Sequence, residues 1–275
     1  MPNLDALAAA AGMSRFHFHR VFKTLTGVTP KAYVAAHRAQ RVRDEFSRSA
    51  TVTEAIYGAG FNSNGRFYAT SSEVQFVEDI FPMHYPAAQR LGEALGVSRT
   101  TAPLSVLDLA AGSGVWSIAL AQQSPHVRVT AVDWAGVIPI TRKVTARLGI
   151  AERFRFVEGD LLEADFENGH TIVTAGHILH SEGERRSRLL LKKAFDALAP
   201  GGTIAIAEIL VDANRTGPLP ALIFAVNMLV NSDEGDTFSF GEICGWLGDA
   251  GFENVRSVDA PGLAPLLILA TKPSS

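Results

Sequence analysis

Val106-Leu-Asp-Leu-Ala-Ala-Gly112-Ser-Gly114-Val-Trp116 passes from an apolar run to a turn of small residues and back to an apolar run. The first part completes a predicted strand, Leu104–Leu109, and the last part begins a predicted helix, Val115–Gln123. Ala110, Gly112 and Gly114 put no bulky side chain into the turn, so a ligand can approach the backbone closely. The helix that follows offers N–H groups without intrahelical partners at its start. Nineteen residues past Gly114, Asp133 ends a second strand, Val127–Val132. Asp160, in Glu158-Gly159-Asp160, ends a third, Phe154–Glu158. Polar groups at three consecutive strand ends match the place where open α/β sheets bind ligands.

Outward from this stretch the alternation of strand and helix continues. Thr171–Ala175 and Thr203–Ile209 read as further strands with helical patterns between them. Such alternation predicts a parallel sheet covered by helices on both faces. The last two runs, Glu253–Asp259 and Leu266–Thr271, are joined only by Ala-Pro-Gly-Leu-Ala-Pro. That connection is too short for a crossover and predicts an antiparallel hairpin at the sheet edge, which ordinary dinucleotide-binding folds lack.

Two details set the turn apart from a nicotinamide-binding fingerprint. Residue 117, the third glycine position, is Ser, and the first acid, Asp108, precedes the glycines. The run resembles motif I of class I S-adenosylmethionine-dependent methyltransferases, and Glu158-Gly159-Asp160 resembles their adenine-contacting motif. The resemblance implies an α/β fold with a Rossmann-like seven-stranded methyltransferase sheet, and S-adenosyl-L-methionine as cofactor. It implies contacts from Asp108, Ala110, Gly112, Gly114, Trp134, Leu161 and Gly176. Asp133 would hold the ribose hydroxyls and Asp160 would meet the adenine amino group.

After the fourth strand come Gly176-His177-Ile-Leu-His180-Ser-Glu182, then Leu189-Leu-Leu-Lys-Lys-Ala-Phe195, Ala199-Pro-Gly-Gly202 and, later, Ala250-Gly-Phe252. This arrangement resembles the small-molecule O-methyltransferases that include the plant phenolic enzymes, over about residues 76–272. The resemblance implies a hydroxylated phenolic or polyketide-like acceptor, His180 as general base, and two carboxylates that orient it. Glu208, at the end of strand five, matches one, and Glu234 in the 231–236 loop aligns with the other. The chemistry suits an imidazole, because a phenol becomes a far better nucleophile once a base titrating near neutral pH removes its proton. His177 is a competing candidate. Met83, His84, Tyr85 and Trp134 are candidate lining for cofactor or acceptor, and Phe224, Met228 and Leu229 for the acceptor wall. No carboxylate–histidine run has metal-ligand spacing, so no metal is expected.

Residues 4–73 read as all helical. Ser14 is a predicted N-cap, and Phe18, Val21, Phe22 and Leu25 form one apolar stripe behind it. Leu7-Ala8, Met13-Ser14, Arg20-Val-Phe-Lys23, Gly27, Thr29-Pro30, Gly60-Phe61-Asn62-Ser63 and Gly65-Arg66-Phe67-Tyr68 resemble the AraC-type helix-turn-helix of Ada proteins. The resemblance ends before that family's closing helix. Ada's methyl-accepting cysteines are missing, since the one cysteine is Cys244, and suicidal DNA repair is thereby excluded.

The expected organisation is a helix-turn-helix segment over 1–73, a helical connector or lid over 74–100 and a methyltransferase domain over 101–275. Residues 1–73 carry nine Lys/Arg against five Asp/Glu, a net +4, and the remainder sixteen against twenty-three, a net −7. A basic segment joined to an acidic domain leaves two readings open. The first is an enzyme whose N-terminal helices, in the place of the family's dimerisation domain, serve only as scaffold or lid, with a homodimer left open. The second is a transcriptional regulator that binds DNA through residues 14–23 and 63–70 and senses a ligand with its methyltransferase fold. The single cysteine, the lack of a basic-flanked leader and the lack of a long apolar run point to a cytoplasmic protein without a membrane partner.

Overall fold

A computed structural model describes Ser14, His17, Arg20 and residues 81–232, 234–261 and 266–274. The chain divides into two compact units, Met1–Phe67 and Tyr68–Ser275. In the first, His17 and Arg20 are helical, and the His17 N–H donates to Ser14 Oγ at 3.3 Å. That is the bond an N-cap serine makes to the third helical residue. The remaining helix-turn-helix positions lie outside the described residues.

The second unit is built on seven strands: β1 (Leu104–Leu109), β2 (Val127–Asp133), β3 (Phe154–Glu158), β4 (His170–Gly176), β5 (Leu198–Ala207), β6 (Glu253–Asp259) and β7 (Leu266–Thr271). Their order across the sheet is β3-β2-β1-β4-β5-β7-β6. The first five are parallel, and β7 inserts antiparallel between β5 and β6. The expected edge hairpin is thus present, with β6 as its outer strand.

The helices are α1 (Phe81–Ala94), α2 (Val115–Gln123), α3 (Ile138–Arg147), α4 (Leu179–Ala197), α5 (Leu219–Asn231) and α6 (Phe240–Ala250). Strands of a parallel sheet alternate their side chains between two covered faces. On one face Val106, Val129, Ala205 and Leu267 pack with Ile118 and Leu120 of α2, Ile140 and Val144 of α3, and Ala87, Ala88 and Leu91 of α1. On the other, Leu107, Leu109, Val173, Ile204 and Ile268 pack with Leu190 and Leu191 of α4 and Ile243 and Leu247 of α6. Every residue of α2 from Val115 to Ala121 is buried, so this helix is pinned under the turn it begins. α1 shares its core, so the described part of the expected connector packs as a member of this unit.

Two departures from the sequence expectations bear on the site. β5 ends at Ala207 and not at Ile209, because Glu208 turns from the ladder to bind the start of α4. α4 itself breaks at Gly183 (φ 69, ψ 172), where a Cβ would collide with the Glu234 backbone.

Candidate active site

The turn between β1 and α2 depends on left-handed backbone at Ala110 (φ 51), Gly112 (φ 56) and Gly114 (φ 79). Glycine adopts this conformation freely, whereas alanine incurs about 1 kcal/mol or more. A side chain at Gly114 would press on Thr141 and Ile118. The turn is held from both sides, since Asp133 Oδ2 accepts from Gly112 N at 2.8 Å and Thr141 Oγ1 donates to Gly112 O at 2.7 Å. Asp133 Oδ1 accepts from Trp134 N at 2.7 Å, and burial pushes this carboxyl above its ordinary value.

Asp108 lies beneath the turn and is fully buried. It accepts from Ser117 Oγ and, at 2.6 Å, from Thr174 Oγ1. Burial pushes its pKa up to about 6 against the opposing pull of these hydroxyls. Ser117, read from sequence only as a departure from a glycine pattern, is therefore the donor that the buried acid requires. The signal was its position, nine residues after Asp108 and one turn into α2. Gly176, at the end of β4, has no room for a Cβ because the Trp116 indole lies against it.

Asp160 stands at the third strand end but is already engaged. Its Oδ1 accepts from Leu162 N at 2.7 Å, and its Oδ2 lies 2.8 Å from Arg186 Nη2. Arg186 Nε is in turn 2.5 Å from Glu182 Oε2. Neither Arg186 nor Glu182 was foreseen as a support for Asp160, since both sit on α4, far along the chain. Leu161 is buried in the core. Trp134 is half exposed beside Asp133.

At the other side of β4 the structure brings His180 and Glu208 together. His180 Nδ1 lies 2.7 Å from Glu208 Oε2, and Leu179 N donates to Glu208 Oε1 at 2.7 Å. The carboxylate thus sits at the uncapped start of α4, where backbone N–H groups favour negative charge. Burial pushes the Glu208 carboxyl up, but His180, His177 and the Leu179 N–H together outweigh it. The group is held below the ordinary carboxylate value. Phe224 of α5 stands edge-on to the His180 ring, with centroids 4.8 Å apart.

Glu234 is not brought to this ring. Its side chain is half exposed and lies 3.9 Å from Arg185, because its loop docks by backbone, Asp236 N donating to His180 O at 3.0 Å. Of the expected lining, Tyr85 faces α2, its hydroxyl donating to Gln122 Oε1 at 2.6 Å, and Met83 is half exposed. Met228 is part-buried on α5. The Leu229 side chain lies outside the described residues.

His84 is buried against His177, with ring centroids 4.3 Å apart. His177 has φ 57, and burial lowers its pKa to about 4. His177, His180 and Glu208 converge, with one donor atom from each lying within 4.8 Å of the others. The sequence showed no such grouping, because Glu208 arrives from a different strand.

The parallel sheet, the glycine turn with its acids, and the histidine–carboxylate pair define the architecture of a methyltransferase domain. The profile of the O-methyltransferase domain matches residues 90–253, more than half of the chain, and the chain belongs to that family. The profile of a helix-turn-helix domain matches residues 7–74. The chain is similar to 3-hydroxy-5-methyl-1-naphthoate 3-O-methyltransferase of Streptomyces sahachiroi, at 32% identity over 183 residues, 66% of this chain and 52% of that protein. It thus spans about half the length of this relative. Its N-terminal part is similar to the bifunctional transcriptional activator/DNA repair enzyme Ada of Escherichia coli, at 44% identity over 70 residues, 26% of this chain and 20% of that protein. The fold resembles that of human N-acetylserotonin methyltransferase, solved with SAM, with a TM-score of 0.65, 20% identity and coverage of 99% of this chain and 87% of that one. Among the described residues no helix is long and apolar enough to cross a membrane.

Proposed function

We propose that this chain methylates a hydroxyl group of a small phenolic or polyketide-like acceptor, with S-adenosylmethionine as methyl donor and His180 as general base. The observation that carries the reading is the 2.7 Å contact between His180 Nδ1 and Glu208. An ionised carboxylate there fixes the ring proton on Nδ1 and leaves Nε2 free to accept one. The relative from Streptomyces sahachiroi, named for an aromatic hydroxyl acceptor, supports the substrate class.

The residues at the strand ends fit the cofactor. The turn has no side chain at Gly112 and Gly114, the start of α2 has no side-chain cap, and Asp133 closes the next strand. When bound there, S-adenosylmethionine supplies a methyl group on a positively charged sulfur. Gly112 and Gly114 would admit the ligand's close approach, and Asp133 would accept from its ribose. The Trp116 indole packs against Gly176 at the end of β4. His180 Nε2 takes the acceptor's hydroxyl proton, and Glu208 stabilises the resulting imidazolium. Phe224 keeps the ring's apolar side from water.

Replacement His180→Ala is expected to lower turnover on a responsive phenol by about 10²–10⁴-fold while S-adenosylhomocysteine still binds in calorimetry. Asp133→Ala is expected to lose that binding. Unchanged turnover in His180→Ala removes the base, and absence of binding by the wild type removes the cofactor site.

The helix-turn-helix match over residues 7–74 and the basic charge of that segment support a second reading. In it, residues 14–23 and 63–70 contact duplex DNA while the methyltransferase fold senses a ligand. The full chain would then retard a DNA duplex in gel shift, less strongly as salt rises. Retardation by neither a random nor a genomic duplex library excludes it.

A further inference from the structure

We propose that His84, His177, His180 and Glu208 form a binding site for a divalent transition metal ion of the zinc class. Three of the donors already converge, with one atom each from His177, His180 and Glu208 within 4.8 Å of the others. The fourth, His84, packs against His177 with the rings tilted at 44° and their centroids 4.3 Å apart. Two nitrogens in this cluster, His84 Nδ1 and His177 Nε2, are buried without a hydrogen-bond partner. Buried polar atoms in a native fold ordinarily have partners, so two orphans on neighbouring rings mark a place for an occupant. His177 is also held in left-handed backbone at φ 57, its N–H donating to Ala207 O at 2.8 Å. Strain of this kind persists where the surrounding fold imposes it, and it gathers at functional positions.

The donor set selects the occupant. Imidazole nitrogens with a single carboxylate suit zinc, cobalt, nickel or copper, whereas magnesium and calcium favour oxygen ligands. An oxyanion is a poor alternative, because it would face the buried Glu208 carboxylate. Zinc–nitrogen bonds of about 2.0–2.1 Å call for donors closer than the present spread, so the rings turn inward on binding. A metal on His180 competes with the proton that this residue is proposed to accept. The ion would therefore act as a reversible brake on methyl transfer. That consequence rests on the proposed role of His180, whereas the binding itself does not.

The test uses the tag-free full chain, stripped with a chelator and titrated with Co²⁺, whose visible d–d absorption reports coordination, followed by displacement with Zn²⁺. His177→Asn is the decisive variant, because asparagine tolerates left-handed backbone while removing the imidazole. His126→Asn, on an exposed loop, is the control. One equivalent of Co²⁺ is expected to give the band in the wild type and in His126→Asn. Affinity should be at least about tenfold weaker in His177→Asn, a loss comparable to that from removing even an outer partner of a metal ligand. A cooperative thermal melt verifies each fold. If His177→Asn does not melt cooperatively, His84→Asn decides by the same criterion. Absence of the band in the wild type, or equal affinity in the folded variant, overturns the proposal. Because S-adenosylhomocysteine binding is read separately by calorimetry, failure of the metal site and failure of the methyltransferase reading are distinguishable.

Discussion

β4 has a buried carboxylate on either side, and the two behave in opposite ways. Asp108 on β1 is fully buried and Glu208 just past β5 is 2% exposed, so desolvation acts alike on both. Asp108 faces the neutral hydroxyls of Ser117 and Thr174 with the like charge of Asp133 nearby, and burial wins, to about 6. Glu208 faces two histidines and a helix-start N–H, and these outweigh burial. Burial alone therefore does not assign a role to an acid; its partners do. On the cofactor side Asp108 ties α2 to β4 through Ser117 and Thr174. On the proposed catalytic side Glu208 is held as a fixed charge beside His180.

The sharpest way to break that contrast is Glu208→Gln. The amide preserves the shape but can present an N–H to His180 Nδ1, favouring the wrong tautomer and removing the charge that stabilises imidazolium. Turnover is expected to fall by about 10²–10⁴-fold, the scale of losing a general base, with S-adenosylhomocysteine affinity retained. A kcat within threefold of the wild type would show that the charge of Glu208 is not used.

Asp108 makes a prediction in stability and not in rate. Its folded pKa of about 6 lies above the unfolded value of about 3.9. Its stabilising contribution is therefore complete below about pH 4 and is lost as pH rises toward 6, on the order of 2–3 kcal/mol. His177 opposes it. A folded pKa of about 4 against about 6.5 unfolded makes stability rise with pH across nearly the same window. The wild type should thus vary little between pH 4 and 6 from these two groups. Asp108→Asn should unmask the His177 slope and lose stability steeply on acidification, as read in metal-free urea unfolding at stepped pH. Parallel pH profiles for variant and wild type would mean that Asp108 does not titrate in this window.

How far the sequence reading reached follows the same divide. Strands β1, β3, β6 and β7 and helix α2 were legible to the residue: β1, β7 and α2 are apolar runs bounded by small or polar residues, and β3 and β6 are short segments set off by turn residues. The pairing of His180 with Glu208 was legible only through family resemblance, since local pattern says nothing about two residues on different strands. The partners of Asp108 and Asp160 were not legible. Ser117 carried a faint signal through helix spacing, but Thr174 and Arg186 reach these acids only once β4 and α4 are docked. Glu234, read through family resemblance as a second orienter, has its carboxylate 3.9 Å from Arg185, and its loop meets His180 through the backbone. The His84–His177 contact had no sequence signal, because it joins α1 to the end of β4.

Arg186 offers the smallest effect and the most discriminating one, because it joins the two halves. It lies on α4, the helix whose first turn carries His180, and it grips Asp160 at the cofactor side at 2.8 Å while held by Glu182 at 2.5 Å. Both members of the Arg186–Asp160 pair are mostly shielded, so the contact should be worth about 1 kcal/mol, near the upper end for surface pairs. Arg186→Gln frees Asp160 to rotate away from the adenine position. S-adenosylhomocysteine affinity and the KM for S-adenosylmethionine should worsen by about 3- to 10-fold, with kcat within about twofold. That split means that Arg186 positions Asp160 alone and the two sides act independently. If kcat falls in step with affinity, α4 carries the disturbance from Asp160 to His180. Asp160 and the His180–Glu208 pair would then be parts of one mechanical unit and not two separately tuned sites.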